Sequence, residues 1–167
     1  MSLFGDTTVV TQEDMAPPSF EPIKQGNYPG TFSSPEKMSN DAGWEGIKFN
    51  TLLGGESQFA GRTVDGLIST KQAPDKDSDE AKARDAATVA RLLRALGVAT
   101  VDDDGNVDLS GINSTDDVFE LLQAADGTEY QAYVKTGPDK RGGVVQTKDD
   151  GTPWIKSRVT GFDPLEG

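Results

Sequence analysis

Three sets of aromatic and cationic residues share strand faces in this sequence. Trp154, Lys156 and Arg158 follow at i, i+2 and i+4; Trp44 is in phase with Lys48, and Tyr133 with Lys135. On an extended strand, residues of like phase project from one side. An aromatic face can stack on a nucleobase while a neighbouring cation pairs with a phosphate, the combination an unpaired nucleic-acid strand requires. Tyr28 and Tyr130 are further aromatic candidates. Lys140 and Arg141 add two cations within Gly137-Pro138-Asp139-Lys140-Arg141-Gly142-Gly143. That stretch reads either as a flexible arm able to close over a strand or as a plain exposed hairpin tip. The candidate binding residues are therefore Tyr28, Trp44, Lys48, Tyr133, Lys135, Lys140, Arg141, Trp154, Lys156 and Arg158. The competing reading has Trp44 and Trp154 capping the ends of a core, with the cations beside them merely solvated.

Other chemistry is poorly supplied. The 167 residues include no His and no Cys. That removes the commonest general base and metal ligand, as well as disulfides and thiolate sites. Asp102, Asp104, Asn106 and Asp108 alternate as in a calcium loop. However, Val107 stands where that loop needs Gly, and Asn113 where it needs Glu. The segment reads as an acidic turn. Paired carboxylates such as Asp103/Asp104 and Asp149/Asp150 read as solvated turns. No enzyme activity, cofactor or metal is expected. No apolar run approaches the length of a membrane span, and no signal peptide is evident, so a cytoplasmic protein is expected.

The net charge of −12 runs against a generic nucleic-acid binder, which is usually basic. The distribution is uneven. Between Ala95 and Val134 stand nine acidic residues and no Lys or Arg; from Tyr130 to Thr160 there are six basic residues against three acidic. An acidic protein can thus present one basic face.

The elements that must position these residues are short. With 19 Gly and 9 Pro in a chain 34% hydrophobic, strands and turns are favoured over a helical bundle. Residues 1–22 carry four carboxylates and no cation and read as a flexible acidic arm. A strand is expected over Gly26–Ser33, then a polar loop to Gly43. A second strand spans Trp44–Leu53, with Ile47, Phe49, Thr51 and Leu53 on its core face. Phe32 is also assigned to the core, and Phe59, in its Gly-rich turn, could serve core or surface. A third strand spans Arg62–Ser69, where a phase slip at Asp65-Gly66 predicts a bulge. A helix over Glu80–Leu96 follows, with Ala86, Val89, Ala90, Leu93 and Leu96 on one face and Leu92 widening the stripe. Asp77, Ser78 or Asp79 caps it. A tight turn joins 98–101 to 107–109, and Ser114 caps a shorter helix over Thr115–Ala125. Strands at Glu129–Thr136 and Val144–Lys148 flank the basic loop, and Trp154–Thr160 is the last strand. A strand meander, a helix and further strands are the order of a small Greek-key barrel. The expected fold is α+β and β-dominated: an OB-like barrel over 23–161 with one capping helix and an acidic insertion, 99–127, holding the short helix.

The motifs Gly26-Asn27-Tyr28-Pro29-Gly30, Gly55 to Arg62 (with Gly55-Glu56-Ser57-Gln58-Phe59-Ala60-Gly61-Arg62), and Leu92 to Gly97 occur in this order. In order and wording they resemble a family of small phage-encoded proteins of replication and recombination modules, thought to bind single-stranded DNA. The resemblance covers roughly residues 20–160. It implies single-stranded DNA as partner, an OB-like fold and a place in the infected bacterial host. The tail 162–167, acidic and carrying Phe162, resembles the tails by which single-strand-binding proteins recruit partners, here phage replication or recombination proteins. The competing class is a virion structural protein, or an acidic interaction protein that mimics DNA.

Overall fold

The computed structural model describes Leu3, Val9 and residues 22–141 and 143–165. The expected arm, apart from Leu3, Val9 and Pro22, lies outside the described residues; Leu3 and Val9 are exposed. Five long strands carry the fold: β1 (Gly26–Ser39), β2 (Glu45–Leu53), β3 (Thr63–Lys71), β6 (Glu129–Pro138) and β9 (Ile155–Asp163). They close in the order β1-β2-β3-β9-β6, with β6 returning to β1. Neighbours are antiparallel except β3 and β9, which run parallel. Helix α1 (Asp79–Ala95) connects the third long strand to the last two, with an insertion between. This is a β-dominated α+β protein built on an OB-like closed barrel, as expected.

Alternation fills the barrel. Tyr28 and Phe32 of β1, Ile47, Phe49, Thr51 and Leu53 of β2, and Tyr130, Ala132 and Val134 of β6 all point inward. On β3 the inward residues are Val64, Gly66 and Ile68, and Leu67 points out. The register with β2 runs unbroken from Gly46↔Ser69 to Leu52↔Thr63. There is no bulge at Asp65-Gly66. The apparent phase slip arises because the inward residue there has no side chain: the Phe49 ring takes its place. A Cβ on Gly66 would lie 2.4 Å from Phe49 Cζ. The irregularity in this ladder sits instead at Glu45/Gly46.

Three further expectations are corrected. β1 does not stop at Ser33. Its ladder with β2 breaks there, Ser34 turns to a φ of 56°, and pairing resumes at Glu36↔Lys48. Besides β1, β6 pairs with β9, not with 144–148; there Val144–Val145 forms β8, paired with β7 (Lys140–Arg141), and Thr147 makes an isolated bridge with Pro153. Phe162 belongs to β9 and is buried between Phe49 and Tyr130, so the tail offers no exposed aromatic. Its burial three residues after Val159 follows from the irregularity opposite Tyr133/Val134, which shifts the strand's phase.

Ser78 caps α1, its Oγ accepting from the Ala81 amide at 3.1 Å. The helix packs on β3 and β9. Its buried face is Ala81, Val89, Leu92, Leu93 and Ala95; Ala86 is exposed. The insertion contains the hairpin β4 (Thr100–Val101) and β5 (Val107–Asp108), then α2 (Thr115–Ala124), capped by Ser114. Val118 and Leu122 of α2 join the same buried cluster as Phe32, Ile47 and Leu93. The insertion is therefore part of the core and not an appendage.

Candidate nucleic-acid interface

The connection from β6 to β9 folds back on itself and determines where the exposed tryptophan stands. Three chain segments meet at its root. The Asp139 amide donates to the Trp154 carbonyl (2.7 Å), the Gln146 amide to the Asp139 carbonyl (2.7 Å), and the Trp154 amide to the Gln146 carbonyl (2.9 Å). One ribbon, β7–β8, projects from this root. A second turn, 147–153, returns through a Thr147↔Pro153 bridge and a Lys148–Thr152 backbone bond. Asp150 locks that turn by accepting from the Thr152 hydroxyl (2.6 Å) and amide (3.0 Å), which hold its pKa below the ordinary carboxylate value. The Trp154 backbone is thus tied at both ends while the residue stays 53% exposed. Lys148 is brought over the ring, 5.1 Å from its centroid.

Between this connection and the outer face of β2 and β3 lies a groove of about 570 Å³. Lys48 and Asn50 line it from β2, Asp65 from β3, Arg62 from the turn before it, and Lys148, Trp154 and Lys156 from the far wall. Pro22 and Ile23 also border it. The Ile23 carbonyl accepts from the Thr136 hydroxyl at 2.6 Å, and that hydroxyl also bonds Ser157 at 2.8 Å, so this border is anchored to β6 and β9. A second hollow of about 190 Å³ gathers Lys135, Lys140, Lys156 and Arg158 around Asp139. Lys135 faces Arg158 directly across the β6–β9 ladder. Lys156 lines both spaces.

Among the described residues, the two spaces together hold seven cations against two carboxylates, in a protein of net charge −12. None of the nine carboxylates between Ala95 and Val134 lines either of them. The charge segregation expected from the sequence is therefore present in space. Lys156 Nζ is 3.7 Å from Asp65 Oδ2, and Arg141, at the ribbon, has its Nε 3.9 Å from Asp139 Oδ2. Such partly exposed pairs contribute about 0–1 kcal/mol and yield readily to a polyanion.

The expected residues divide. Lys48, Lys135, Lys140, Trp154, Lys156 and Arg158 come together along these two spaces. Arg141 stands at the ribbon beside Asp139. Trp44 lies at the far end of the β2–β3 ladder, its ring across Gly46 and its Nε1 donating to Ser69 Oγ at 3.0 Å. It is half-buried and outside the groove. Tyr133 projects outward on β6, where its hydroxyl accepts from Gln25 Nε2 at 3.0 Å and Gly161 packs against its Cβ. Tyr28 is a correction. It is buried, its hydroxyl donates to the Lys24 carbonyl, and its ring meets Phe59 edge-on, so it offers no face to a base. Phe59 is buried as well, and Tyr130 is wholly enclosed.

Arg62, Lys148, Asn50 and Asp65 were not among the expected site residues. Lys148 had a legible signal in the Asp149-Asp150-Gly151 turn, which returns the chain over Trp154. Arg62, 5.9 Å from the Phe59 ring centroid, had none.

A cleft of about 600 Å³ also opens between β3, α1 and the insertion. Every charged residue lining it already has a partner: Glu45 with Lys71 (3.6 Å), Asp77 with Lys82 (3.5 Å), and Asp85 with Gln72 (2.8 Å). It offers no comparable set of groups for a charged ligand. Among the described residues no cluster of carboxylates is arranged to hold a metal ion, and no helix is long and apolar enough to cross a membrane. In comparison with known proteins, no family model and no curated sequence matches this chain.

Proposed function

We propose that this protein binds single-stranded DNA without sequence preference, in phage DNA replication or recombination in the bacterial cytoplasm, and that it performs no catalysis. The observation that carries this reading is the convergence of seven cations and the exposed Trp154 along two adjoining spaces on the barrel's outer face. OB barrels bind oligonucleotides over the face of their second and third strands and over the connections beside it. The groove here borders β2, β3 and the connection between the last two long strands. Cations tracking phosphates and an aromatic stacking a base serve any sequence, because every base has a π-face. DNA and phage are supplied by the resemblance of the ordered motifs.

A second reading, an acidic interaction or virion protein that mimics DNA, is favoured by the net charge of −12. Fluorescence anisotropy with a labelled oligothymidine at low salt, beside a duplex of equal length, separates the two. The proposed function expects saturable binding of the single strand in preference to the duplex, weakening with salt. Absence of single-strand binding at tens of micromolar protein would transfer the case to the acidic reading.

A further inference from the structure

Resting on the reading above, we infer that Asp65 is an internal competitor for the bound strand: its carboxylate occupies the Lys156 ammonium in the free protein and is displaced by a phosphate on binding. It thereby limits affinity and speeds release.

Three observations point to this. Among the described residues, Asp65 is the one carboxylate lining the larger groove, beside Lys48, Arg62, Lys148 and Lys156. Its Oδ2 lies 3.7 Å from the ammonium of Lys156, the residue that also lines the second hollow. It stands opposite Asn50 of β2 and Arg158 of β9, and its neighbours Val64 and Gly66 point into the core, so its own side chain projects outward and the barrel interior does not require it. A carboxylate at such a position contributes little to folding, because a partly exposed ion pair is weak. Its effect on an arriving polyanion is larger. A phosphate reaching Lys156 exchanges one anion for another and leaves Asp65 without its cation, facing the strand.

The test is a double-mutant cycle on the intact chain with labelled oligothymidine. Asp65→Asn keeps the shape and removes the charge. It should tighten binding about two- to five-fold, the equivalent of one half-exposed pair, and slow dissociation in stopped-flow. In a Lys156→Ala background the same change should gain markedly less. Asp102→Asn, which removes an equal charge outside both spaces, should leave binding near the wild-type value. Asp65→Thr, a good strand former, repeats the test should Asn disturb β3, with circular dichroism as the check on folding. Unchanged or weaker binding by a folded Asp65 variant, while the wild type binds, would overturn this inference alone. Equal gains with and without Lys156 would overturn the competitor role and leave only general repulsion. Failure of both wild type and Asp65→Asn to bind would overturn the proposed function together with it.

Discussion

Trp154 and Lys156 are close neighbours with separable roles. Trp154 contributes an exposed ring on a backbone that its hydrogen bonds fix before any ligand arrives, so only the side chain remains to be ordered at binding. Trp154→Ala should weaken oligothymidine binding by about 1–3 kcal/mol, the stacking of one base, with the salt dependence nearly unchanged. Lys156→Ala should instead make the slope of log K against log salt shallower by about 0.7, the share of one phosphate on a single strand. Titrations at several salt concentrations distinguish the two, and identical slopes would place Lys156 away from the phosphates. Tyr130 shows the opposite use of an aromatic. Burial pushes its hydroxyl's pKa above the ordinary phenol value, and the 2.5 Å bond with Thr51 offsets only part of that. The folded state therefore holds a proton that the unfolded chain releases near about pH 10. Stability from this group is complete below that pH and is lost as pH rises above it. Urea midpoints should fall progressively as pH rises above about 10 in the wild type. Tyr130→Phe should remove this group's share of the slope. It should also cost about 1–3 kcal/mol at neutral pH by leaving the buried Thr51 hydroxyl without its partner.

The helices seal the barrel on the strength of a few leucines. Leu92 and Leu93 of α1 and Leu122 of α2 are at most 1% exposed and share one cluster with the barrel interior. Leu93→Ala and Leu122→Ala should each cost about 2–5 kcal/mol, measured by chemical denaturation. The Leu122 result is the more telling. An acidic excursion outside the core would tolerate the change, whereas a helix that completes the core would not. The β6–β9 connection is stabilised differently. It is held by backbone bonds at its root and by the Asp150 turn, with Val144 and Val145 left exposed at its ribbon.

Across the molecule, the carboxylates of the insertion are kept apart from the cations of the groove. The acidic stretch from Asp102 to Glu129 is spent on the β4–β5 turn, the first turn of α2 and its surroundings, and contributes nothing to the lining of the groove. Asp102 is occupied locally: its Oδ1 accepts from the amides of Asn106 (2.8 Å) and Asp104 (3.0 Å), the first being the chief cause of its lowered pKa. Replacing Asp102, Asp103 and Asp104 with Asn should therefore leave single-strand affinity unchanged or modestly raised. The melting temperature should not respond to calcium. A large loss of binding, or a calcium-dependent melt, would contradict this division of the surface.

Much of this architecture is legible from local pattern alone. Alternation on β2 marks Ile47, Phe49, Thr51 and Leu53 as core because a strand's side chains have a period of two. Ser78 and Ser114 announce their helices because a side-chain oxygen must satisfy the first free amides. The same-face pairing of Trp154, Lys156 and Arg158 needs no more than that alternation. What local pattern does not contain is the identity of a neighbour far away in the chain. Gly66 reads as a phase slip until Phe49 is seen filling its place. Tyr28 and Trp154 are both aromatics bordered by Gly or Pro residues, yet closure of β1 on β6 encloses the first and the root of the connection presents the second. Arg62 and Lys156 are separated by most of the chain and meet in one groove because the third and fifth long strands pair in parallel. Local conformation follows from short-range sterics and hydrogen bonding, whereas the groove exists only once the barrel has closed.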